Sequence, residues 1–126
     1  MDRRRFLQLA ACLPLALLCP IEPAHSREIV LLETAVAGWR YYEGDSVWSA
    51  LRPGDVLELR REPANPYDGM AIAIYGAGVK LGYIPRDDNA VIANIMDQGV
   101  QVRSRVLHKN PSPHPWERME IQVTLA

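Results

Sequence analysis

The chain has 126 residues, of which 48% are apolar and 23% charged, with a formal net charge of −1, so it is sized for one domain with an ordinary buried core. That charge balance excludes a polyelectrolyte binder whose affinity comes from many phosphate contacts; any nucleic-acid contact must be local and made by few charges. Both cysteines, Cys12 and Cys19, fall within the first 26 residues, which leaves the remainder without thiols for disulfides or thiolate metal ligands.

The chain starts with Arg3, Arg4 and Arg5, then an apolar run of 13 residues from Phe6 to Leu18, then Ala24-His25-Ser26. This is signal-peptide anatomy. The run is broken by Pro14 and ended by Pro20, and a bilayer-spanning helix needs about 20 residues, so no stable membrane span is expected. Two arginines, any residue and then Phe6-Leu7 resemble the bacterial twin-arginine export signal. Residues 1–26 are therefore expected to be a twin-arginine signal peptide and 27–126 a single mature domain exported to the periplasm. A true start after the leader would make the same domain cytoplasmic. Eleven basic and thirteen acidic side chains remain in 27–126, a net charge of −2.

In chain order, residues 28–36 read as a first strand, near-continuously apolar through Ile29-Val30-Leu31-Leu32 and ending at Gly38. Val47, Trp48 and Leu51 suggest a helical turn that lids a barrel, and Pro53-Gly54-Asp55 is a turn signal. Residues 56–62 alternate, with Leu57 and Leu59 on one face and a wet face opposite. Residues 63–69 are a loop, because two prolines exclude both helix and ladder. Strands at 70–75 and 79–84 flank the hairpin connection Gly76-Ala77-Gly78. Asp87 or Asp88 is expected to cap a helix running to Asp97, with Val91, Ile92, Ile95 and Met96 at helical spacing and Gly99 as its stop. Strands at 100–107 and 117–125 close the fold around a proline-rich loop at 110–116. The expected fold is mainly β: a small six-stranded OB-like β-barrel with one or two short helices.

Three segments carry a specific pattern: Gly38-Trp39-Arg40-Tyr41-Tyr42, then Arg61-Glu62-Pro63-Ala64-Asn65-Pro66-Tyr67-Asp68-Gly69, then Gly82-Tyr83-Ile84-Pro85-Arg86. In order and spacing they resemble the HIRAN domain, and the resemblance runs from residue 29 to about 124. HIRAN domains occur at the front of helicase-like chromatin and replication-fork proteins and as stand-alone bacterial domains. The resemblance implies an OB-type barrel whose pocket binds the unpaired 3′ end of DNA through Arg40, Tyr41, Tyr42, Asn65, Tyr67, Asp68 and Arg86. Pro85, where fork-associated members tend to be basic, and the acidic mature charge both weaken phosphate affinity.

The residue types suit a strand end. A base stacks on an aromatic face without sequence demand, for which Tyr41, Tyr42 and Tyr67 are candidates. Arg40 and Arg86 offer bidentate contacts to phosphate. Asp68 repels a phosphate but accepts a hydrogen bond from a free hydroxyl, which selects a terminal 3′-OH. Asn65 adds a contact to sugar or base edge. Simpler roles stand beside these. Asn65 and Asp68 can tie their own backbone into a turn, one of Tyr41 and Tyr42 would be core if both lay in a strand, and Arg86 can pair with Asp87 and Asp88.

No enzyme is read here. His108 and His114 lack metal-ligand spacing, no serine sits in a nucleophile elbow, and Gly76 and Gly78 precede no helix, so no metal or cofactor is expected. The expected partner of a monomer is a single-stranded DNA 3′ end; an envelope protein or a small ligand is the alternative for an exported domain. Lys-Lys in place of Arg3-Arg4 should retain the protein inside the cell, as followed by fractionation; normal export of that variant would remove the twin-arginine assignment.

Overall fold

The computed structural model describes residues 28–126, and the expected signal peptide lies outside them. Six strands form one antiparallel sheet: β1 (Val30–Ala35), β2 (Val56–Arg61), β3 (Ile72–Gly76), β4 (Val79–Tyr83), β5 (Val102–Lys109) and β6 (Met119–Leu125). Their order across the sheet is β1-β6-β5-β2-β3-β4. Among the described residues one α-helix, α1 (Ala90–Asp97), precedes β5, and short 3-10 turns occupy Trp39–Tyr41, Gly44–Val47, Arg86–Asp88 and Pro115–Glu117.

Alternation decides which side of each strand is wet. In the β2–β3 ladder Leu59 lies opposite Ile74, and Arg60 opposite Ala73, so Leu57 and Leu59 point inward while Glu58 and Arg60 share the outer face with Ala73 and Tyr75. Tyr83 lies opposite Ala73 and therefore joins that outer face. Inside, Val36, Trp39, Leu51, Ile72, Ile74, Leu81, Ile92, Val106 and Ile121 make one core.

Register shifts in the β1–β6, β3–β4 and β5–β6 ladders mark bulges, which bend strands and raise their twist. The sheet curls until its two edges meet. Among the described residues they meet at one bridge, Ala37 with Tyr83, where each residue's N–H donates to the other's carbonyl at 2.8 and 2.9 Å. The expected closed barrel is thus a curled half-barrel with a one-pair seam, because Gly38 turns the chain out of strand conformation at φ 77°.

Gly82 makes the seam possible. A Cβ there would lie 2.2 Å from the Ala37 carbonyl oxygen and 2.7 Å from Val36 Cγ1, at a φ of +156°.

Residues 39–42 correct the strand assumed for the tyrosine pair. After Gly38 the chain makes a 3-10 turn, Trp39 enters the core, and both Tyr41 and Tyr42 remain exposed. Trp39 takes the buried place because its ring packs edge-on to Trp48 at 5.7 Å and its indole N–H donates to Asp45 Oδ1 at 2.8 Å. Val47 and Trp48 pack on the core beside buried Leu51, in a 3-10 rather than an α-helical turn.

The helix is shorter at its start than expected. Asn89 occupies the N-cap position, while Asp87 and Asp88 fall in the preceding 3-10 turn. Asp88 is committed elsewhere, accepting a hydrogen bond from Thr34 Oγ1 at 3.1 Å and so tying the turn to β1. Gly99 ends the helix at φ 84°, its N–H on the Met96 carbonyl. In β5 the core-facing residues are Ser104 and Val106, and Val100 lies outside the strand, exposed.

Gly82→Ala is expected to destabilise the fold by about 3 kcal/mol, the upper end for forcing a methyl into a packed site, and to lower Tm by roughly 10 °C or more. A thermal melt of this variant that overlays the wild type would show that the seam does not need a glycine.

Candidate nucleic-acid interface

The site lies at the end of β4, beside the seam. Alternation places Tyr83 outward; Ala37 and Ala71 leave a floor without bulk, and the loop 63–69 stands along one side. The result is a cleft of about 360 Å³ whose lining includes Tyr42, Asn65, Tyr67, Asp68, Tyr83 and Arg86. That volume is at the small end of ligand-binding clefts.

The loop is laced from within. Asn65 Oδ1 accepts from the backbone N–H groups of Tyr67 at 2.8 Å and Asp68 at 3.2 Å, and its amide donates to Glu62 Oε1 at 3.0 Å. Asn65 therefore shapes the turn, and few of its hydrogen-bonding positions remain for a ligand. Arg61 donates to the carbonyls of Ala71 and Gly69 and pairs with Asp97 at 2.9 Å, which ties the loop to the end of α1. Arg86 donates to the Tyr67 carbonyl at 2.7 Å and sits 4.0 Å from Asp68, with no pairing to Asp87 or Asp88. Its side chain is 74% exposed, so most of its guanidinium donors face solvent.

Asp68 is the polar centre of the cleft. Its Oδ1 accepts from Met70 N–H at 2.9 Å and its Oδ2 from Asn89 Nδ2 at 2.8 Å. The Met70 N–H foremost, then the Asn89 amide, outweigh partial burial and hold the carboxyl below its usual range, with Arg86 and Arg61 adding to the effect. An ionised carboxylate has about four acceptor positions, so the two intramolecular bonds leave capacity for a ligand hydroxyl.

The aromatic groups divide into a wall and a free ring. Tyr42 packs edge-on to Tyr83, with ring centroids 5.7 Å apart and planes at 69°. Tyr67 is 84% exposed across the cleft, a large apolar surface left in water. Arg40 and Tyr41 do not line the cleft; they stand on the neighbouring 3-10 turn, with Arg40 over the Tyr41 ring at 5.0 Å. Five of the seven proposed residues are thus gathered in one cleft, and two lie on the turn next to it.

Sequence reasoning passed over Tyr83, Glu62, Lys80 and Asn89. Tyr83 Oη donates to Glu62 Oε1 at 2.7 Å and accepts from Lys80 Nζ at 2.6 Å. Burial pushes Glu62 up, but hydrogen bonds from Asn65, Tyr83 and Lys80 together outweigh it and hold the carboxyl below its ordinary range. Tyr83 is raised, chiefly by burial. The alternation that set Glu58 and Arg60 on the wet face also pointed to Glu62, and Tyr83 stood in the quoted Gly82-Tyr83 pattern. Asn89 gave no signal, being buried only once the loop folds over it.

Residues 29–126 match the HIRAN domain family. The chain belongs to the HIRAN family. HIRAN is a family of nucleic-acid-binding domains. Among curated relatives, this HIRAN domain is 37% identical over 75 residues to the mouse helicase-like transcription factor, covering 56% of this chain and 7% of the mouse protein. The rabbit helicase-like transcription factor is 38% identical over 63 residues, 49% of this chain and 6% of the rabbit protein. The chain therefore spans a small part of those relatives. A crystal structure from Lactobacillus plantarum superposes with a TM-score of 0.65 at 31% identity, over 78% of this chain and 97% of that one. The HIRAN domain of human HLTF superposes with a TM-score of 0.61 at 25% identity, over 78% of each chain.

The lowered Glu62 pKa has a consequence for acid stability. A carboxyl whose folded pKa is depressed stabilises fully above its unfolded value of about 4.3, and that contribution is lost as pH falls through the folded value. In thermal melts from about pH 7 to pH 3, Glu62→Gln should melt below the wild type at neutral pH, and the gap should close as pH falls beneath the ordinary carboxylate range. A gap that stays constant with pH would assign the effect to packing instead of charge.

Proposed function

We propose that this HIRAN domain is a non-catalytic module that holds the 3′ end of single-stranded DNA in the cleft between the loop 63–69 and the Tyr42–Tyr83 wall. The observation that carries the reading is the meeting of an exposed Tyr67 ring, the Tyr42 and Tyr83 rings, the outward Arg86 guanidinium and one ionised carboxylate, Asp68, around an alanine floor. Each group has a task in such a complex. The rings take a base by stacking, Arg86 meets a phosphate oxygen, and Asp68 accepts the terminal hydroxyl while repelling a strand that continues as phosphate. In this reading Arg40, beside the cleft, takes the next phosphate along the backbone.

The reading also agrees with charge. A site with two arginines and an acidic surround neutralises few phosphates, so its affinity should depend only shallowly on salt. One or a few terminal nucleotides suffice to fill a cleft of about 360 Å³. Export to the periplasm, if the leader acts as its sequence suggests, would direct the module to DNA outside the cytoplasm.

The test compares two short fluorescent oligonucleotides, one ending in 3′-OH and one in 3′-phosphate, by anisotropy at two salt concentrations. The free hydroxyl should bind more tightly, and Asp68→Ala should abolish the difference. Tyr67→Ala should weaken binding about fivefold to 150-fold, the equivalent of about 1–3 kcal/mol of stacking, with an unchanged melting temperature because the ring is exposed. Equal and undetectable binding of both oligonucleotides would overturn the proposal in favour of an adaptor for a protein or small ligand.

A further inference from the structure

Lys80 lies behind the cleft and is not part of its lining. Its Nζ is 2.6 Å from Tyr83 Oη and 3.3 Å from Glu62 Oε2. The same ammonium stands 4.7 Å from the ring centroid of Tyr42 and 4.3 Å from that of Tyr83. Its three donors therefore serve a phenol oxygen, a carboxylate and the Tyr42 π face, and the side chain is 22% exposed.

A lysine beside a nucleic-acid site ordinarily neutralises a phosphate. Here the charge is already matched by Glu62, and turning Nζ toward solvent would take their donor from Tyr83 Oη and Glu62 Oε2. The geometry points to Lys80 as a positioning residue: it holds the Tyr42 and Tyr83 rings in their edge-on arrangement, and acts on a bound strand only through them. This rests on the proposed reading of the cleft.

Tyr42 needs such a holder. It follows a three-residue 3-10 turn at an extended φ of −129°, is 37% exposed, and meets the Tyr83 ring on one side and Gly38 on another. Glycine supplies no side chain to hold the ring, so its restraint comes from Tyr83 and from the Lys80 ammonium over its face. Tyr83 is fixed more firmly, because its hydroxyl both accepts from Lys80 and donates to Glu62. With that hydroxyl engaged, Tyr83 presents its ring to the cleft. Preordering a ring removes an entropy cost that a ligand would otherwise meet on binding.

The test uses the full chain as wild type, Lys80→Met and Lys80→Arg. Binding of a short fluorescent oligothymidylate with a free 3′-OH is measured over a range of salt. Lys80→Met should weaken binding about fivefold to tenfold at every salt, as expected for freeing one or two side chains, with the slope of log affinity against log salt unchanged. Lys80→Arg, which can still sit over both rings, should recover most of the loss. A slope reduced by about 0.7 would reveal a direct phosphate contact and overturn the inference, as would unaltered affinity. Spectrophotometric titration of the tyrosines in the free protein, with Tyr83→Phe to assign the signal, gives a readout that needs no DNA. Loss of the cationic neighbour should move the Tyr83 phenol to higher pH in Lys80→Met, and an unmoved titration overturns the inference. If the wild type binds no oligonucleotide while Tyr83 shifts, Lys80 stands as the holder of the wall and only the reading of what the cleft binds falls.

Discussion

The Ala37–Tyr83 bridge is the contact on which the rest of the molecule depends. It joins the first strand's exit to the last strand in the sheet order, and so converts a curled sheet into a half-barrel with a closed end. The same two hydrogen bonds fix the outward orientation of Tyr83 and set Ala37 in the floor of the cleft. A backbone carbonyl can approach β4 this closely only because Gly82 lacks a Cβ. Closure and cleft therefore arise from a single local permission in the chain.

The loop 63–69 illustrates how a polar segment is made rigid without a core of its own. Asn65 satisfies two backbone N–H groups, Asp68 a third, and Arg61 and Arg86 take up three of the carbonyls. Buried Asn89 reaches up from the start of α1 to orient the Asp68 carboxylate. The distinction between turn-forming and ligand-binding roles is thus a division of lone pairs. Asn65 is largely consumed by the turn, whereas Asp68 keeps acceptor capacity toward the cleft, because only one donor reaches each of its oxygens.

Charge in this molecule is mostly local and compensated. Glu58 with Arg60, Arg61 with Asp97, Lys80 with Glu62 and Arg118 with Asp45 form close pairs. The exposed Glu58–Arg60 pair contributes little stability, but all four pairs remove charges from general phosphate binding. Arg86 is different: its hydrogen bond is to a carbonyl and its carboxylate neighbour is at 4.0 Å, so a mostly exposed guanidinium faces the cleft mouth. A domain with few free cations is suited to recognise the end of a strand and poorly suited to coat its length.

How much was legible in the chain follows from the range of the forces involved. Period-two alternation around Leu57 and Leu59, the Gly76-Ala77-Gly78 connection, the Pro66 loop and the Gly99 stop are local steric and hydrophobic signals, and they located the six strands and the helix to within a few residues. The ordered Arg40-Tyr41-Tyr42, Asn65-Pro66-Tyr67-Asp68 and Tyr83-Ile84-Pro85-Arg86 runs carried the family. Which of those side chains share a cleft depended on contacts between segments distant in the chain. Gly38 turned residues 39–41 out of strand geometry, sending Trp39 inward and leaving Arg40 and Tyr41 beside the cleft. Pairing of β3 with β4 set Tyr83 next to Ala73, which placed Lys80 and Glu62 behind the wall. Asn89 and the one-pair seam were decided the same way, since a buried amide and a close backbone approach exist only after the chain has folded.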